Sequence, residues 1–178
     1  MRGKRRKERM ILKNATLHIG NGEVFQGDMR IADGKIVEVG KNINGDESRS
    51  LNGKHVFPGF IDSGNFLGAQ DMAFFAKDYN ENSNPVTPYL DIWHSIDPDE
   101  LSLQELYKAG ITSMLVTPGN EGILGGTCTV VKTKGKNINK ITVKRDAAMK
   151  ASMTSEVIRV FSGKGSPQTP MALIAMLK

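Results

Sequence analysis

Val56-Phe57-Pro58-Gly59-Phe60-Ile61-Asp62-Ser63-Gly64-Asn65-Phe66-Leu67-Gly68 divides the chain into two kinds of pattern. Before it come short apolar runs separated by turn residues, the signature of antiparallel strands. After it, strand-like runs alternate with helical and loop segments, the signature of strand–helix–strand units in a parallel sheet. Pro58 removes a ladder donor and ends the first pattern. Beyond it, residues 59–63 read as a strand. Side chains alternate along a strand, so positions 64 and 66 fall on one face at its end.

Upstream, residues 10–19 predict a first strand, ended by Gly20-Asn21-Gly22. Residues 28–32 and 35–39 flank Asp33-Gly34, a strong two-residue hairpin signal because both turn residues tolerate positive φ. Asn52-Gly53 gives a second hairpin signal between residues 49–51 and 54–57. Downstream, Asp97-Pro98-Asp99-Glu100 predicts a helix start: an aspartate cap, proline in the first helical position, and Glu100 completing a capping box. Leu103, Leu106 and Tyr107 form its apolar face, and Gly110 closes it. Residues 111–117 then predict a strand, completing one βαβ unit. Further strands are predicted at 127–132 and 141–144, and a helix from Thr169-Pro170 to the last residue.

Residues 56–68 resemble the segment that opens the catalytic barrel in the amidohydrolase superfamily, roughly V-x-P-G-F-I-D-A/S-H-x-H-x-G. Asn84-Pro85-Val86-Thr87-Pro88, Ala109-Gly110-Ile111-Thr112, Thr117-Pro118-Gly119, Gly125-Gly126 and Ala148-Met149-Lys150 continue the resemblance, in the order and approximate spacing of imidazolonepropionase-like and dihydroorotase-like members. The resemblance implies a mixed α/β fold. A small β-sandwich-like unit, residues 10–57, would be followed at 58–178 by the first βα units of an incomplete (β/α)8 barrel. A whole barrel needs about 250 residues, and 120 follow Pro58. The final helix runs to Lys178 without a capping glycine, so the expectation is the N-terminal portion of a longer protein. An apolar helix docked on a complete small domain is the alternative.

The family activity implied is metal-dependent hydrolysis of C–N bonds in amides or cyclic amides, with zinc or another divalent cation as cofactor. The two histidines of the family motif, which bind that metal, are replaced here by Gly64 and Phe66. Neither has a lone pair to offer a cation. No catalytic or metal-ligating residue is therefore assigned, and no cofactor is expected in this chain. Asp62 matches the motif and is read as an anchor for backbone at the strand end. Lys150 and Glu156 lie near where a middle-strand ligand would be sought, but read as solvated charges. His18, His55 and His94 share no zinc-pair spacing and are read as non-ligands, and Cys128 as a small buried hydrophobe. The glycine-rich runs 118–126 and 162–166 lack the GK[ST] that opens a helix in a phosphate loop. Abundant Met and Phe around residues 72–75 read as packing. The functional expectation is an amidohydrolase-like protein, truncated and inactive on its own. The alternative is a metal-free pseudoenzyme acting as a binding or oligomerisation module.

Composition is that of a globular chain, with 39% hydrophobic and 24% charged residues. The formal net charge of +5 resides in the first ten residues, where Arg2, Lys4, Arg5, Arg6, Lys7 and Arg9 face one acid, Glu8. The other 168 residues balance, eighteen basic against eighteen acidic. A nucleic-acid partner is thus not expected, and no apolar run approaches the roughly 20 residues that span a bilayer. The single cysteine forbids a disulfide framework and fits the cytoplasm. A small-molecule amide is expected as partner only of an intact relative, while open sheet edges leave room for a homo-oligomer. Residues 1–9 read as a basic disordered leader. Deleting them is expected to leave the melting temperature essentially unchanged; a large fall in a thermal melt of the shortened chain would make the leader structural.

Overall fold

The computed structural model describes residues 9–45, 47–70 and 76–178. The leader, except Arg9, and the residues 72–75 read as packing lie outside the described residues. Two compact units result, Met1–Pro58 and Gly59–Lys178.

Among the described residues the first unit is one five-stranded sheet. β1 (Arg9–His18) and β2 (Val24–Ala32) pair antiparallel, and β3 (Lys35–Gly40) extends the sheet from β2. The Asp33-Gly34 hairpin forms as expected, with φ of 51° and 74°. The second hairpin does not. β4 (Ser48–Ser50) and β5 (His55–Val56) both run parallel to β1, end to end along one edge of it. The reason is a bulge in β1 between Leu12 and Ala15, where Asn14 takes φ 53°. The Asn52-Gly53 turn fits against that bulge, the Gly53 N–H donating to the Asn14 carbonyl at 2.7 Å. Positive φ at both turn residues was legible; the partner strand was not.

Asp28 holds this irregular region together. Its carboxylate is buried and accepts the N–H of Asn14 at 2.9 Å and of Ile43 at 3.0 Å. Ala15, Leu17 and Met29 form the apolar core beside it, with Leu12, Phe25, Ile31, Leu51 and Val56 packed around them.

The second unit is built on a four-stranded sheet in the order β6-β7-β8-β9. β6 (Phe60–Asn65) and β7 (Ile111–Val116) are parallel, joined by a crossover that includes α1 (Leu101–Lys108). The expected βαβ unit is present. The all-parallel continuation is not: β8 (Leu124–Lys132) and β9 (Thr142–Ala151) each pair antiparallel with the preceding strand. Nine residues, 133–141, separate them, too few for a parallel return crossover. They hold the short helix α2 (Ile138–Ile141), so Ile141 ends a helix and the expected strand begins one residue later.

Helix α1 also begins later than the capping box predicts. Asp97 accepts the Asp99 N–H at 2.9 Å, and the Glu100 N–H reaches the Asp97 carbonyl at 3.2 Å, so residues 97–100 close a turn. Glu100 occupies the cap position with no side-chain bond. Leu103 is fully buried and Leu106 packs against the core, whereas Tyr107 is exposed with the Lys134 ammonium over its ring. Met114, Val116 and Val131, each 0% exposed, form the centre of the core with Leu103, Ile92 and Ile96. A second cluster joins Ile123 to Val157 and Phe161 of α3 (Ser155–Phe161) and Leu173 of α4 (Pro170–Ala175). Thr169 caps α4 by accepting the Ala172 N–H, as its sequence predicts. Leu173 supplies its docked face, while Met171 and Ile174 remain exposed.

Asp28→Ala orphans two backbone donors and is expected to cost about 2–6 kcal/mol, at 1–3 for each abandoned buried group. Asp28→Asn keeps one acceptor and should cost less. Urea denaturation of the three chains makes the comparison, and a near-neutral alanine variant would refute the role.

Candidate functional site

In an α/β sheet the loops at the carboxyl ends of parallel strands converge, and side chains there face a common space. Here those loops follow Asn65 and Val116. They are tied by the Thr117 N–H to the Asn65 carbonyl at 2.8 Å and the Gly119 N–H to the Tyr79 carbonyl at 2.9 Å.

Asp62 accepts the Gly64 N–H at 2.9 Å with one oxygen and the Asn65 amide at 2.5 Å with the other. Asn65 in turn accepts the Leu67 N–H at 2.8 Å. The carboxylate is occupied in shaping the strand end, the anchoring read from the sequence. Gly64 is exposed, and its backbone does not demand glycine: an added Cβ would meet the Thr117 methyl at 3.4 Å, an ordinary contact. Phe66 lies just past the strand, its ring stacked on Tyr79 with centroids 4.2 Å apart and planes at 19°.

These residues do not fit the metal that the superfamily implies. Gly64 and Phe66 present no donor, and both Asp62 oxygens are hydrogen-bonded. Among the described residues no three or more His, Cys, Asp or Glu side chains converge on one point.

Beside the Phe66–Tyr79 stack lies a cavity of about 340 Å³, walled by Tyr79, Asn80, Glu81, Tyr89, Asp91, His94 and Gly125. Leu90, which also lines it, is approached closely by Gly126, where φ is 109° and a Cβ would stand 2.5 Å from the Leu90 carbonyl oxygen. Asp91 caps the turn Ile92–Ser95 through the Trp93 N–H at 2.9 Å and pairs with Arg145 of β9. Arg145 also lies over the Trp93 ring at 4.3 Å. Burial works against the Asp91 carboxylate, but the Arg145 and Trp93 bonds outweigh it and hold the group below the usual aspartate range. Glu121, buried in the glycine-rich loop 118–126, accepts from Lys77 at 3.2 Å and Asn82 at 2.7 Å.

The remaining expectations sort as follows. Glu156 stands in the first turn of α3, paired with Arg159, and Lys150 lies on β9 opposite Gly126. His94 is exposed on the Ile92–Ser95 turn. Cys128 is 2% exposed, and burial pushes its thiol up, away from nucleophilic chemistry. Ser162–Lys164 forms a short turn after α3 and opens no phosphate-binding helix. The Asp91–Arg145 pair and the Glu121 cluster escaped the sequence reading because their partners are 39 to 54 residues away. No local pattern encodes that separation.

No protein-family model matches the chain, and no curated protein matches it. Its structure is similar to the crystal structure of an amidohydrolase from Thermotoga maritima MSB8, with a TM-score of 0.87 and 29% sequence identity. The match covers 94% of this chain and 45% of the other, so this chain spans less than half the length of that protein. The likeness supports the amidohydrolase superfamily suggested by residues 56–68. No helix among the described residues is long and apolar enough to cross a membrane.

Because Asp91 titrates below its ordinary value of about 3.9, the stability it contributes is present above that value and lost as pH falls through the lower, folded one. The stability difference between the chain and Asp91→Asn should therefore be full at neutral pH and close only below the ordinary carboxylate range. Melts across pH read it; a gap independent of pH would contradict the assignment.

Proposed function

We propose that this chain is an amidohydrolase-like scaffold in which the strand-one metal site has been lost, so that it does not hydrolyse C–N bonds on its own. The observation that carries the reading is the Phe66–Tyr79 stack beside Gly64: where the superfamily places imidazoles, this chain places an aromatic packing contact and a bare backbone. Amide or cyclic-amide hydrolysis needs a cation to generate a nucleophilic water and a free carboxylate to move its proton. Asp62 is committed to Gly64 and Asn65, and Cys128 is buried. The other groups of a complete site would have to come from segments beyond the portion of the relative that this chain matches.

A second reading has an observation of its own. β6 is an edge strand of its sheet, with Phe60 60% and Ile61 75% exposed, and an unpaired apolar edge favours association over catalysis. A metal-free binding or oligomerisation module is consistent with that edge.

Restoring both histidines tests the first reading. Gly64→His/Phe66→His is expected to yield no metal-dependent turnover of simple amides, cyclic imides or dihydroorotate-like substrates, because two ligands do not fix a catalytic geometry without supporting groups. Phe66→His also forfeits the Tyr79 stack, about 0.5–1.5 kcal/mol. Chelator-sensitive hydrolysis by the double variant would overturn the claim that the site is incomplete in more than two residues.

A further inference from the structure

The β1 bulge and the β5 strand bring together two histidines that lie 37 residues apart in sequence. His18 Nε2 and His55 Nδ1 stand 2.8 Å apart. Thr16 is the register partner of His55, so His18 falls opposite Phe57, and all three rings rise on one face of the strand pair. Phe57 stacks on His18 with centroids 4.0 Å apart and planes at 15°, which restrains the His18 ring; His55 is exposed.

We propose that His18 and His55 form a two-nitrogen chelating site for a tetragonal divalent cation, Cu(II) or Ni(II), on the first unit. The donors carry the choice of metal: among the first-row divalent ions Cu(II) binds a given nitrogen site most tightly, and tetragonal nitrogen and oxygen sets suit Cu(II) and Ni(II). The 2.8 Å separation is that of a hydrogen bond, and it leaves both nitrogens within reach of one ion once that bond opens. Imidazole nitrogens suit both Cu(II) and Ni(II), and the exposed side of the pair leaves the other positions to water. The His18–His55 hydrogen bond must open as the ion enters; rotation of the exposed His55 ring about its soft terminal torsion accomplishes this, while His18 stays held by Phe57. It shares no residue with the strand-one positions 64 and 66.

Titration of the full chain with Cu(II), followed by electron paramagnetic resonance, tests the assignment. The expected result is one bound ion whose spectrum carries coupling to two imidazole nitrogens. His18→Gln and His55→Gln should each weaken binding by roughly tenfold or more, since the second ligand of a chelate acts at high effective concentration. His94→Gln should leave binding unchanged, and circular dichroism establishes that each variant is folded. Binding that persists undiminished in both folded variants, or a spectrum without two-nitrogen coupling, overturns the proposal. A variant that unfolds is replaced by His55→Ala on the exposed ring, read the same way.

Discussion

Two parallel strands cannot be joined by a turn, and this constraint organises the larger unit. The chain leaving β6 must return to the opposite end before β7 can begin, and residues 66–110 are spent on that return. The crossover places Tyr79, Asp91 and Trp93 near the carboxyl ends of the strands, and α1 over the sheet. Its cost in chain entropy is offset by the core it closes, where Met114 and Val116 are wholly buried against Leu103, Ile92 and Ile96.

Around that crossover a few hydrogen bonds hold the strand ends in place. Asp62 still shapes the strand end through two hydrogen bonds, and the loops behind it remain tied by Thr117 and Gly119. Phe66 makes a packing contact with Tyr79. The Asp91–Arg145 pair fastens the cavity wall to β9, so the cavity's shape depends on an ion pair between elements 54 residues apart.

What the sequence disclosed follows the range of the forces involved. The Asp33-Gly34 hairpin, the Gly110 helix stop and the Thr169-Pro170 helix start each depend on a few neighbouring residues and were readable as written. The Asn52-Gly53 turn had the right backbone signal but the wrong inferred partner, because the bulge at Asn14 that receives it is 39 residues away. Asp97 looked like a helix cap because local pattern cannot distinguish a cap from a turn that precedes one. That the side chains at positions 64 and 66 carry no metal-binding atom follows from residue chemistry alone. The His18–His55 contact was not, since their approach is set by strand register and by no spacing along the chain.

The most direct measurement of the central claim is anomalous scattering at the zinc edge from crystals of the full chain equilibrated with zinc. A metal bound by side chains at the strand-one site would lie within about 2.5 Å of a donor atom. The account predicts no anomalous peak at that distance from any atom of residues 62–66, because the Gly64 and Phe66 side chains offer no donor and the Asp62 carboxylate is held by Gly64 and Asn65 without a second side-chain ligand beside it. An ordered zinc there would contradict it and restore metal chemistry to this end of the sheet.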